Sequence, residues 1–131
     1  MTNQRFNKNE HLKNVSIIES IFSDGKSFVI FPIRLIWVKT PKYKSNPPFQ
    51  VAFTVPKRRF PKAVDRNRIK RQITEAYRLN KNILYTKLPQ DNLNQWSMVF
   101  IYTGKKNPNY SQIEKGMITI LDRLKLGARP E

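Results

Sequence analysis

The segment from Lys57 to Arg71 constrains the fold more than any other part of the sequence. Eight of its fifteen residues are Lys or Arg, and its one acidic residue is Asp65. From Ile69 onward, apolar residues recur at intervals of three and four: Ile69, Ile73, Ala76 and Tyr77. This spacing predicts an amphipathic helix from about Ala63 to Asn80, with one face in a core and cations on the adjacent face.

The charge of this segment differs from that of an ordinary solvated helix. Solvated faces mix Glu and Lys, which support each other at a spacing of four residues, whereas Arg66 and Lys70 repel at that spacing. Arg outnumbers Lys by five to three, and the planar guanidinium group can bind a phosphate through two hydrogen bonds. The segment therefore predicts phosphate binding. Arg68 points away from the basic face on a helical wheel, toward a second contact or a local ion pair.

Composition agrees with a polyanionic partner. The chain has 131 residues, with 25 Lys and Arg against 9 Asp and Glu, so its formal net charge is +16. Apolar residues make up 39%, which is enough for a core, and the length predicts a single domain over 1–131. Nucleic acid is the commonest partner of so basic a domain, and a membrane surface is the second alternative.

Several classes of protein and site are disfavoured by what the sequence lacks. No apolar run approaches the roughly 20 residues of a membrane span, and no signal peptide is recognisable, so we expect a cytoplasmic protein. Without cysteine there is neither a disulfide nor a thiolate metal site. The single histidine, His11, and the scattered carboxylates indicate neither a catalytic triad nor a metal cluster.

The remaining patterns predict an α+β fold. We expect a first helix from His11 to Phe22, ended by Ser23-Asp24-Gly25 with a left-handed glycine. A strand interrupted or bent at Pro32 follows over Phe28–Val38, and the alternation over Phe49–Val55 predicts a half-buried strand.

The C-terminal third predicts one more strand and one more helix. Trp96–Tyr102 has the composition of a buried strand, and Ser111 with Glu114 forms the pattern of a capping box for the last helix. The resulting order is helix, two or three strands, helix, strand, helix, as in an α+β or split βαβ sandwich.

The basic segment resembles the signature of the bacterial ribonuclease P protein subunit. That family carries an Arg-Asn-Arg triplet followed by Lys-Arg, which here are Arg66-Asn67-Arg68 and Lys70-Arg71. The resemblance covers about residues 5–125, including Phe22, Gly25-Lys26-Ser27 and Glu75-Ala76-Tyr77-Arg78. One departure is Thr74, where members of the family often carry Arg; Lys81, further along the helix, is a candidate replacement.

The resemblance implies both a fold and a function. The fold is an α-β-β-β-α-β-α sandwich like the second domain of ribosomal protein S5, with a left-handed βαβ crossover. The function is that of an RNA-binding subunit of a ribonucleoprotein endonuclease, a hydrolase in which the RNA removes the 5′ leader from precursor tRNA. The implied partners are the catalytic RNA and the leader. Mg²⁺ accompanies the RNA, and neither a protein-bound cofactor, a protein partner nor a membrane is implied.

The resemblance also implies site residues. Those expected to bind the catalytic RNA are Lys57, Arg58, Arg59, Lys62, Arg66, Asn67, Arg68, Lys70 and Arg71. Those expected in a cleft for the single-stranded leader are Ile18, Phe22, Arg34 and Ile36. Core packing is the alternative for each cleft residue, and Trp37 and Phe53 favour the core.

Other functions stay open at this point. A ribosomal-protein-like or other RNA-binding module without a role in tRNA processing would have the same charge, since any such protein neutralises phosphates. A stand-alone nuclease is disfavoured by the absence of recognisable catalytic groups. DNA binding is disfavoured because no helix-turn-helix or zinc spacing is present.

Overall fold

The computed structural model describes residues 10–41, 46–88 and 93–126. The elements in these residues confirm the predicted order and add one short helix after the basic one. They are α1 Val15–Asp24, β1 Lys26–Ile30, β2 Ile33–Pro41, β3 Phe49–Thr54, α2 Ala63–Asn80, α3 Asn82–Tyr85, β4 Asn94–Tyr102 and α4 Tyr110–Arg123.

The strands form one sheet in the order β1-β2-β4-β3. β2 is antiparallel to both of its neighbours, whereas β3 and β4 are parallel, with Phe49 opposite Trp96 and Thr54 opposite Ile101. A parallel pair requires a long connection, and α2 and α3 lie within it. The α+β fold is therefore confirmed, but the βαβ unit is not split, because no other strand lies between β3 and β4. The left-handed crossover and the likeness to ribosomal protein S5 stay predictions.

The two faces of the sheet are covered unequally. The larger core includes alternate residues of the strands, such as Leu35, Val51 and Met98, together with the buried faces of α2 and α4. On the opposite face α1 packs Ile21 onto Ile36 in a smaller core. Trp37 and Phe53 are half-buried and pack against the larger core, as predicted. The smaller core leaves part of its sheet face open.

The first helix begins later than predicted. It starts at Val15, and the Asn14 side chain accepts a hydrogen bond of 3.2 Å from the Ile17 amide. His11 instead forms an isolated parallel bridge with Val51, and the Leu12 amide donates a 2.8 Å hydrogen bond to the Val51 carbonyl, so residues 11–12 lie beside β3. Sequence periodicity could not show this because the pairing partner is distant along the chain.

Gly25 ends α1, but not in the left-handed conformation that was predicted. Its φ of −72° is open to any residue. A Cβ at this position would lie 2.4 Å from the Ile21 carbonyl oxygen and 2.8 Å from Cγ2 of Ile36. Close packing of the helix end on β2 therefore explains the glycine.

Of two further local predictions, one is confirmed in one of its alternatives and the other is wrong. The strand predicted over Phe28–Val38 is interrupted at Pro32 rather than bent, because the chain reverses at Phe31-Pro32 and pairs β1 with β2 as an antiparallel hairpin. The cap of α4 is Asn109, whose side chain accepts from the Gln112 amide at 2.9 Å, and Ser111 lies inside the helix. Asn is as strong an N-cap as Ser, so Asn109 can begin the helix two residues earlier.

Candidate RNA interface

One face of α2 is buried in the core, so the opposite face points to solvent. Ile69, Ile73, Ala76 and Tyr77 are completely buried, as the sequence predicts. Asn67, Lys70 and Arg71 are exposed, and with Thr74 and Glu75 they line an open depression along the helix. The core thus holds a rigid helix whose outer face presents two cations and an amide.

Thr74 and Glu75 line the same depression but add no positive charge to it. Thr74 is uncharged, and its hydroxyl donates a 2.7 Å hydrogen bond to the Lys70 carbonyl. Glu75 accepts two 2.8 Å hydrogen bonds from Arg78, and those hydrogen bonds lower the pKa of the Glu75 carboxyl. The positive charge of Arg78 therefore balances the negative charge of Glu75. The positive charges of Lys70 and Arg71 then remain available to a ligand.

Two arginines of α2 that belong to the predicted RNA-binding set have partners within the protein. Nη1 of Arg66 donates to the carbonyl oxygens of Phe60 and Pro61 at 2.9 and 2.8 Å. Arg68 forms an ion pair with Asp65 at 3.1 Å, which confirms the local pair that the wheel allowed. Arg66 therefore ties the start of α2 to the preceding turn.

The basic turn, residues 57–59, lies at the end of the sheet where β3 and β4 finish. Its three cations and Lys62 are exposed, while Phe60 is buried against Tyr102 with 5.7 Å between ring centroids. The Arg59 guanidinium donates to the Thr103 carbonyl at 2.5 Å. Phe60 thus anchors a short basic segment beside the loop that follows β4.

The four predicted cleft residues have different environments. Ile18 is half-buried, Phe22 is 53% exposed, and Arg34 is exposed with Nη2 3.4 Å from the Ser27 hydroxyl oxygen. Ile36 is only 7% exposed and lies in the smaller core beneath α1. For Ile36 the core alternative therefore applies, because the helix lies between this side chain and any bound RNA.

Lys81 does not replace the missing cation at Thr74. It is 4% exposed, and its ammonium group lies 3.0 and 3.1 Å from the two oxygens of the buried Glu10 carboxylate. The Tyr85 hydroxyl donates to the same carboxylate at 2.7 Å, and burial together with this bond raises the pKa of Tyr85. Since Glu10 is 71 residues away in sequence, nothing local indicated this pair.

Two exposed features lie outside the predicted site residues. Val15 is 67% exposed and shares one side of α1 with Ile18 and Phe22, at spacings of three and seven residues that already predict a common apolar face. Lys105 and Lys106 are exposed in the loop after β4, which a 2.6 Å hydrogen bond from Tyr102 to the Lys106 carbonyl holds in place.

Residues 10–41, 46–88 and 93–126 contain no group of three or more His, Asp or Glu arranged to hold a metal ion. None of the helices in that part of the chain has the length and apolar character needed to cross a membrane.

Comparison with known proteins places this chain in a family. The ribonuclease P family model matches residues 6–125. The ribonuclease P protein component of Porphyromonas gingivalis is 33% identical over 122 residues, covering 89% of this chain and 84% of that protein. The corresponding protein of Chlorobaculum tepidum is 37% identical over 103 residues, covering 75% and 67%.

Solved structures share the fold. The ribonuclease P protein of Thermotoga maritima superposes with a TM-score of 0.67 at 21% identity, over 88% of this chain and 97% of that one. The Staphylococcus aureus protein gives a TM-score of 0.63 at 21% identity, over 86% and 92%. Because the family model matches nearly the whole sequence, including the basic turn and α2, the chain belongs to the ribonuclease P protein family.

Proposed function

We propose that this protein is the subunit of ribonuclease P that binds the catalytic RNA and the 5′ leader of precursor tRNA, which the RNA then removes. Membership of the family supports this function. The observation that carries the proposed RNA contact is the cluster of Asn67, Lys70 and Arg71, exposed on a helix whose opposite face is completely buried.

The cluster suits the backbone of a folded RNA. Arg71 can donate two parallel hydrogen bonds to one phosphate, and Lys70 supplies a point charge beside it. Each phosphate neutralised releases counterions, which gives the contact its free energy and its salt dependence. Because α2 is fixed by the core, little backbone entropy is lost when the RNA binds.

The leader requires a different surface, because its unpaired bases can stack on apolar side chains beside a cationic groove. Phe22, Ile18 and Val15 offer an apolar strip along α1. Arg34 offers an exposed cation on the sheet face that α1 leaves partly open. We therefore place the leader beside α1, with Ile36 supporting the helix from beneath.

In this proposal the hydrolysis is carried out by the RNA. The protein holds the two RNA molecules together by reducing the repulsion between their phosphates. Mg²⁺ accompanies the RNA and supplies the metal chemistry of the cleavage, and we assign no protein ligand to it. We place the protein in the cytoplasm, where precursor tRNA is made.

Reconstitution tests the proposal. The protein is mixed with a bacterial ribonuclease P RNA, and cleavage of precursor tRNA is measured at Mg²⁺ concentrations too low for the RNA alone. We expect the mixture to cleave faster than the RNA, and Lys70→Ala/Arg71→Ala to need more protein for the same rate. A folded protein that never improves on the RNA alone would refute the function.

A control without the catalytic RNA separates the proposal from a stand-alone nuclease. The purified protein, verified as folded by circular dichroism, is incubated with precursor tRNA and Mg²⁺. We expect no cleavage at the leader junction. Cleavage there by RNA-free protein would assign the chemistry to this chain instead.

A further inference from the structure

Three segments meet at the end of the sheet where β3 and β4 finish. The Thr103 amide donates a 2.7 Å hydrogen bond to the Pro32 carbonyl, and the Arg59 guanidinium donates to the carbonyl of the same Thr103. The turn of the β1–β2 hairpin, the loop after β4 and the basic turn therefore lie side by side. The surface that carries the basic turn continues onto the hairpin.

The hairpin turn exposes apolar side chains on a supported backbone. Phe31 is 62% exposed and Val29 is 52% exposed, while the adjoining Pro32 is buried. A Cβ on Gly116 of α4 would lie 3.2 Å from Cδ of Pro32 and 3.4 Å from the Phe31 carbonyl oxygen. α4 thus packs closely against the turn from the core side and leaves Phe31 toward solvent.

A cation accompanies this apolar patch. Arg34 is the antiparallel partner of Val29, so the two side chains leave the same face of the sheet on adjacent strands. The register continues through Ile101 to Thr54, next to the start of the basic turn. Within the described part of the chain no carboxylate pairs with Arg34, and its Nη2 lies 3.4 Å from the Ser27 hydroxyl oxygen.

We infer that the β1–β2 turn is a further contact for single-stranded RNA, in which a base stacks on Phe31 and Arg34 contacts the neighbouring phosphate. The inference rests on the proposed function, since the strand would be the part of the leader that extends beyond α1. An aromatic side chain beside a cation is the combination that single-stranded nucleic acid sites share. RNA is favoured over an apolar protein partner because such a partner would desolvate the nearby cations Arg34 and Arg59.

The test uses the reconstituted holoenzyme and precursor tRNAs whose leaders lengthen in single-nucleotide steps. We expect Phe31→Ala to bind the shortest leaders like the wild type and the longest at least about fivefold more weakly, the lower limit of base–aromatic stacking. Phe31→Trp, which keeps a stacking surface, should restore the affinity. Ile118→Ala, which removes an exposed apolar side chain from α4, is the matched control and should change nothing at any length.

Three results would overturn the inference. Phe31→Ala could equal the wild type at every leader length, or it could weaken all leaders equally, which indicates a structural role. It could also change only the oligomeric state of the RNA-free protein. That result would indicate that Phe31 and Val29 form a contact between copies of this chain. A wild-type holoenzyme indifferent to leader length refutes the leader contact of the proposed function as well, so the two failures are distinguishable.

Discussion

Two lysines, Lys70 within α2 and Lys81 just after it, have opposite environments. Lys70, in the N-terminal half, is exposed and lines the depression with Asn67 and Arg71. Lys81, just after the last residue of the helix, is 4% exposed and pairs with Glu10. The net charge of +16 counts both equally, although only Lys70 can meet a phosphate without breaking an internal contact.

The difference between the two lysines follows from solvation. A buried ammonium group has lost its hydration and is tolerated only with a carboxylate and further hydrogen bonds, which Glu10 and Tyr85 supply. An exposed ammonium group keeps its water until a phosphate displaces it, and the released counterions favour binding. A cation therefore stabilises either the fold or the complex, and burial decides which.

The largest expected effect is on stability, through Lys81→Met. Removing the ammonium group leaves the Glu10 carboxylate buried without its cation, so we expect the free energy of unfolding to fall by about 3–5 kcal/mol. Urea denaturation followed by circular dichroism measures it. The matched control is Lys70→Met, which should stay within about 0.5 kcal/mol of the wild type. Equal stability of the two variants would contradict the comparison.

The next effect is on RNA affinity, through Lys70→Ala and Arg71→Ala. Each variant should reduce the slope of log affinity against log salt by about 0.7–0.9, the value for one lost phosphate contact. Titrations of the catalytic RNA at several salt concentrations measure the slope. Lys115→Ala, which removes an exposed cation from α4, is the control. Slopes identical to that of the wild type would rule out direct phosphate contact by this cluster.

Arg66 could act in either role, as a cation that stabilises the fold or as one that binds RNA, and a variant distinguishes the two. The sequence predicts an RNA contact, whereas the structure shows Nη1 bound to the carbonyls of Phe60 and Pro61. We expect Arg66→Ala to lower the free energy of unfolding by about 1–2 kcal/mol, because those hydrogen bonds involve a charged donor. The salt slope should change less than in Lys70→Ala. If Arg66→Ala were as stable as the wild type but had a reduced salt slope, Arg66 would be an RNA contact instead.

The basic helix was predictable because its information is local. The apolar spacing fixed both bounds of α2 and the outward direction of Asn67, Lys70 and Arg71, since a helix that buries one face must expose the other. The alternation over β3 was equally informative, because strand side chains point to opposite faces in turn.

Long-range contacts were not predictable from the helical spacing or the strand alternation of apolar residues. The Glu10–Lys81 pair joins residues 71 positions apart, and the bridge of His11 to Val51 displaced the start of α1. Ile36 has the same alternation whether it faces a helix or a bound strand of RNA, so the pattern could not separate core from cleft. What covers a sheet face is a tertiary property, and it decides which residues reach a ligand.

The smallest effect concerns Glu75, an acid on the basic face. The hydrogen bonds from Arg78 lower its pKa below the ordinary value of 4.5, so the pair stabilises the folded state above that pH. The contribution disappears as the pH falls through the lowered pKa. Both side chains are substantially exposed, so solvent screens the pair and its contribution to stability is small.

Glu75→Gln makes this effect measurable. The variant should be slightly less stable than the wild type near neutral pH and equal to it in acid, when the wild-type carboxyl is protonated as well. Paired urea denaturations above and below pH 4.5 give the difference, and a difference independent of pH would exclude the ion pair as its source. Near neutral pH the same variant removes a carboxylate charge beside the depression, so its RNA salt slope should be equal to or steeper than that of the wild type. The charge of Glu75 thus lowers the net positive charge that this face of α2 presents to RNA.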